Sequence, residues 1–121
     1  MAKILIVDDN KDTVKLIATI LKSAGFQVEL AYSGEEALKK VKTKLPDLIT
    51  LDIMMPGLSG WDVYERIRQR YDHRTKIIFL SALEVSPERK RQLIKEGVSD
   101  YIIKPFSNDN LIGKIKAALH T

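Results

Sequence analysis

Apolar and polar positions along the chain alternate between two rhythms. Five short runs are mostly apolar or alternate: KILIV at 3–7, QVELA at 27–31, DLITL at 47–51, KIIFL at 76–80 and DYIIK at 100–104. Such runs predict strands. Between them the apolar residues recur every three to four positions, which predicts helices over 11–24, 34–44, 60–70, 87–96 and 108–119. On the first helix Val14, Ile17, Ala18 and Leu21 form the core stripe. Strict alternation of strand and helix predicts right-handed βαβ units and a parallel sheet.

Helix punctuation agrees. Ser33 precedes the second helix with Glu36 three residues on, the pattern of a capping box. Ser86 is followed by Pro87, a favoured cap and first-turn pair, and Ser59 and Ser107 stand at two other helix starts. Gly25 and Gly97 each follow a helix and precede an apolar residue, as a left-handed C-terminal cap does.

Strand character predicts the order. KILIV, DLITL and KIIFL are nearly all apolar, so they are covered on both faces and central, whereas QVELA alternates and reads as an edge. The expected fold is a three-layer α/β/α sandwich of flavodoxin-like type, with a five-stranded parallel sheet of order 2-1-3-4-5. Ligand sites in such sheets lie beyond the carboxyl ends of the strands at the switch point, here between the first and third strands.

Composition narrows the class. The chain has 121 residues, 45% hydrophobic and 30% charged, which predicts one domain over 1–121 with a core of ordinary size. No second domain is expected, since the pattern closes with the fifth helix. There is no cysteine, which excludes disulfides, thiol catalysis and cysteine-zinc sites. No apolar run approaches a membrane span, and the first residues read as a strand rather than a signal peptide, so the expected location is cytoplasmic. The net charge is +4, and its bases are dispersed on helices: Lys39, Lys40, Lys42 and Lys44, then Arg66, Arg68 and Arg70, then Arg89, Lys90 and Arg91. They read as a solvated surface, with no aromatic alternation for stacking bases and no direct nucleic-acid partner expected.

The predicted strand ends carry the chemistry. The first ends in Asp8-Asp9, the third in Asp52, the fourth in Ser81 and the fifth in Lys104. Alone, each has a plain reading: an aspartate at a strand end usually caps a helix, and a Lys-Pro is usually a turn. Asp12, Asp62, Asp72, Asp100 and Asp109 keep that plain reading as first-turn or loop residues, and His73 and His120 are expected to be exposed. The cluster differs because every member falls at one edge of the sheet. Three carboxylates and one ammonium leave two negative charges, which one hard divalent cation such as Mg²⁺ would balance.

The order IVDD, LDIMMPGLSG, FLSA, DYIIKPF resembles the receiver domain of two-component response regulators, along essentially the whole chain. The resemblance implies Asp52 as the phosphorylated residue, Asp9 and Asp52 as direct Mg²⁺ ligands with the backbone carbonyl of Met54, and Asp8 acting largely through water. It implies Ser81 as the switch hydroxyl, Tyr101 as the switch aromatic, Lys104 as the phosphate-contacting lysine, and a cis Lys104–Pro105 bond. The donor would be a histidine kinase or histidine phosphotransfer protein. The target would meet the face of the fourth helix, fifth strand and fifth helix, in a monomer or a phosphorylation-dependent dimer. On phosphorylation Ser81 would move toward the new oxygens and Tyr101 would turn inward.

The resemblance also implies docking of the donor on the first helix, where Thr13, Leu16 and Ile20 form a second apolar strip. It places Met54 and Leu83 beside the acyl phosphate, where two large apolar side chains would shield it from water. Rival classes fare worse. A haloacid-dehalogenase-like phosphatase needs a second acid where Met54 stands, and no GxxxxGK or GxGxxG occurs for a nucleotide. A metal-free binding module on the same fold would lack an acid or the lysine, and none is missing. No turnover of another substrate is expected.

Overall fold

The computed structural model describes residues 1–120. The strands are β1 Lys3–Val7, β2 Gln27–Ala31, β3 Leu48–Leu51, β4 Lys76–Ser81 and β5 Asp100–Ile103. The helices are α1 Lys11–Ser23, α2 Gly34–Thr43, α3 Gly60–Tyr71, α4 Pro87–Lys95 and α5 Asn108–Leu119. All pairings are parallel and the order is β2-β1-β3-β4-β5, as strand character predicts.

Alternating side chains feed two cores. Leu5, Val7, Ile49, Leu51, Ile77 and Phe79 pack under α2, α3 and α4. Ile4, Ile6, Leu48, Ile78, Leu80 and Ile102 pack under α1 and α5. Burial on both faces is why the central strands are unbroken apolar runs. Among the described residues no helix is long and apolar enough to cross a membrane.

Caps set the helix starts. Ser33, Ser59, Ser86 and Ser107 each accept a hydrogen bond from the backbone three residues on. At Ser33 only half of the expected box forms, because Glu36 accepts from Tyr32 N–H instead. The complete box is at Ser59, where Asp62 returns the bond. Gly25 and Gly97 have φ of +93° and +114°, the left-handed caps expected of them. Asn10 caps α1, accepting from Thr13 N–H.

Register fixes the site edge. Val7 pairs with Leu51, so Asp8 and Asp52 leave adjacent strands level with one another. Ser81 pairs with Ile103, so Lys104 follows directly beside it. Gly60, at the start of α3, presses on the backbone of Asp52 and Ile53: a Cβ there would lie 2.2 Å from the Asp52 carbonyl oxygen.

Candidate functional site

At the carboxyl edge, Asp8 and Asp52 are 2% and 7% exposed, while Asp9 is open to solvent. Each offers a carboxylate oxygen, and these atoms lie within 4.8 Å of one another. Lys104 bonds Asp8 Oδ2 at 2.6 Å and stands 3.9 Å from Asp52 Oδ2. The other oxygen of Asp8 accepts from Asn10 N–H at 2.9 Å. The Lys104–Pro105 bond is cis.

The electrostatics are unbalanced. Burial pushes the Asp52 carboxyl above its usual range; the Ser81 hydroxyl opposes this, the Asp8 charge reinforces it, and Lys104 and the Met54 backbone pull it back only in part. Lys104 is committed to Asp8 at the shorter distance, so it cannot neutralise both acids. The donor set is all oxygen, anionic and close enough to share one cation, which fits a hard divalent metal. The three acids could hold such an ion.

Ser81 is fully buried at the end of β4. Its Oγ accepts from Leu83 N–H at 3.3 Å, and its hydroxyl hydrogen serves the Asp52 carboxylate. Tyr101 differs from expectation. Its ring is already inward, 2% exposed, and its hydroxyl donates to the Leu83 carbonyl at 2.5 Å. Burial, then the Asp52 charge, raises its pKa, so the phenol stays a donor. An inward turn is therefore no change from this conformation. The backbone of Leu83 serves both Ser81 and Tyr101, a link invisible in the sequence because it needs no particular side chain.

Met54 is exposed and Leu83 half-buried beside this edge. On α1 the core stripe is buried as expected, but the second strip needs correction. Ile20 is 7% exposed and packs in the α1–α5 core, because the buried face is wide enough to include the position three after Ile17. Leu16 remains 56% exposed and Thr13 half-buried. His73 and His120 are exposed. Asp100, read as a loop residue, is a junction: Lys114 bonds it at 3.0 Å, Lys90 lies at 3.4 Å, and the N–H of Tyr101 donates to it at 2.8 Å.

Comparison with known proteins supplies the family. Residues 4–116 match the model of the response regulator receiver domain. The phosphate regulon transcriptional regulatory protein PhoB of Rhizobium meliloti (strain 1021) is 39% identical over 120 residues, covering 98% of this chain and 52% of that protein. The chain spans about half the length of the curated relatives it matches. Among solved structures, the receiver domain of the Francisella response regulator 1452 superposes with a TM-score of 0.89 at 36% identity, covering 99% of this chain and 98% of that one. The response regulator TrrA of Thermotoga maritima, solved in complex with Mg²⁺-BeF, gives 0.84 at 36% identity over 98% and 99% of the two chains.

Proposed function

The chain belongs to the response regulator receiver family, and we propose that Asp52 accepts a phosphoryl group from a phosphohistidine on a histidine kinase or phosphotransfer protein, with Mg²⁺ bound. The observation that carries this reading is the convergence of three carboxylates, Lys104 and Ser81 at one strand edge. Residues 1–121 act as one receiver unit, which turns over no substrate but its own phosphate.

An Asp52 oxygen attacks phosphorus in line with the imidazole nitrogen of the donor. The P–O bond forms as the P–N bond breaks, and the product is an acyl phosphate. Bound by Asp9, Asp52 and the Met54 carbonyl, with Asp8 reached through water, Mg²⁺ would supply positive charge to the transferring oxygens. Lys104, already 3.9 Å from Asp52, supplies a second positive charge. The Ser81 hydroxyl, which serves Asp52 at rest, turns to a phosphoryl oxygen.

Signalling runs through Leu83. Its N–H meets Ser81 and its carbonyl meets Tyr101, so a shift of Ser81 toward phosphate acts on the loop that holds the ring. The inward ring belongs to the state that phosphate favours, and phosphorylation raises the population of that state at the α4–β5–α5 face. Leu16, with Thr13 beside it, forms the docking strip for the donor.

Two measurements test this together. Acetyl phosphate should add one phosphoryl mass with Mg²⁺ and none with EDTA. Leu16→Lys should slow transfer from a phosphorylated histidine kinase and leave acetyl phosphate labelling intact. Labelling without Mg²⁺ contradicts the metal assignment, and equal loss with both donors contradicts the docking assignment.

A further inference from the structure

The bases of α2 and α3 look dispersed in sequence, yet the fold gathers three of them. A groove of about 530 Å³ between the two helices is lined by Leu38, Lys42, Arg66, Gln69, Arg70 and Tyr71. Its floor is apolar, with Leu38 and Tyr71 packed against the core. Its walls are cationic. Arg70 leans over the Tyr71 ring at 5.9 Å, and neither it, Lys42 nor Arg66 has a carboxylate partner among the described residues.

The acids of these helices are engaged or sited elsewhere. Glu35 and Glu36 are in the first turn of α2, at the other end, and Asp62 is bound to Ser59. Glu65 lines the next groove, with Arg68, His73 and Glu96. No carboxylate lines the α2–α3 groove. Arg66 and Arg70 are four residues apart on one helix, a like-charged pairing that is unfavourable. The negative helix ends steady Lys42 and Arg70, which lie in last turns. Arg66 lies outside that last turn and lacks this compensation.

We propose that this groove docks an acidic segment of a partner protein, its carboxylates on Lys42, Arg66 and Arg70 and one apolar or aromatic side chain on the Leu38–Tyr71 floor. Charge complementarity selects the occupant's sign, and the apolar floor favours a peptide side chain over a nucleic-acid duplex, whose bases are already stacked inside it. The groove lies toward the C-terminal ends of α2 and α3, whereas both helices begin at the edge that carries Asp52. Binding is therefore independent of phosphorylation and forms a constitutive tether, separate from the switching face.

The test uses a fluorescein-labelled peptide of acidic residues around one central phenylalanine, a counterpart with glutamine and asparagine for the acids, and a short DNA duplex. Anisotropy gives affinity, and amide shifts give location. The acidic peptide should move Leu38, Lys42, Arg66, Arg70 and Tyr71, and the neutral one should not. Arg66→Glu with Arg70→Glu should weaken it about tenfold or more at low salt, while Arg91→Glu, an equal kind of change on α4, leaves it within about twofold. Circular dichroism confirms that the variants fold. Shifts spread over all basic surfaces, equal loss with Arg91→Glu, or a duplex that moves the same residues more tightly would each overturn the proposal. So would affinity that changes when Asp52 is phosphorylated.

Discussion

Asp52 and Asp100 are both carboxylates tucked against the sheet, at opposite edges of it. Burial pushes both toward the neutral form. At Asp100 the hydrogen bond from Lys114, the N–H of Tyr101 and the charges of Lys114 and Lys90 outweigh burial and hold the carboxyl below its usual range. At Asp52 burial and the neighbouring Asp8 prevail, and the carboxyl is held above it. Asp100 joins α4, β5 and α5 with its charge matched by protein. Asp52 is left short of positive charge in a cluster of like charges. The difference separates a carboxylate whose charge the fold matches from one whose charge it does not.

Breaking the packing that positions Asp52 should have the largest effect. Gly60→Ala forces a methyl against the Asp52 carbonyl and should destabilise by about 2–3 kcal/mol, with slower phosphorylation; denaturant melts and acetyl phosphate labelling check both. No glycine among the described residues packs in this way against Asp100. Next, Asp100→Asn should destabilise by about 1–2 kcal/mol, since two lysines and a backbone N–H lose their charged acceptor. By contrast, Asp52→Ala relieves repulsion and should be more stable than wild type without Mg²⁺.

The pH dependence sharpens the contrast. Folded Asp100 stays ionised at pH values where the unfolded chain takes up a proton there. Its stabilisation is present above the ordinary carboxylate range and lost as pH falls through its lowered pKa. The gap between wild type and Asp100→Asn should therefore narrow in acid; a gap that is flat with pH contradicts the clamp. Tyr101→Phe should have the smallest effect on stability, about 1 kcal/mol, and should loosen the tie between Leu83 and β5.

The lifetime of the phosphorylated form separates the two regions as well. Met54→Asn with Leu83→Glu places polar groups beside Asp52 and none near Asp100. Phosphorylated protein in Mg²⁺ buffer should then decay several-fold faster, since an amide or carboxylate can orient a water. Decay no faster than wild type contradicts shielding by Met54 and Leu83.

The strands and helices were legible because burial on two faces, burial on one face and helical periodicity leave different marks. Their bounds shift by a residue or so: Asp47 falls outside β3, where its carboxylate accepts Lys3 N–H instead. The site was legible for a topological reason, since a parallel sheet brings successive strand ends together. Partners that meet only in the folded chain were not. Asp100 finds Lys90 and Lys114 from helices on either side of it in sequence, and no local signal marks that meeting. Leu83 acts through its backbone, and Ile20 is buried because the core face of α1 is wider than its stripe suggests.

The central claim is that the unbalanced carboxylate, not the balanced one, takes the phosphoryl group. Wild type, Asp52→Ala and Asp100→Ala are incubated with acetyl phosphate and Mg²⁺, and the labelled residue is located by mass spectrometry of reduced, borohydride-trapped peptides. A label is expected on Asp52 in wild type and Asp100→Ala, and none in Asp52→Ala. A label that persists in Asp52→Ala, or that disappears in a folded Asp100→Ala protein, would contradict it.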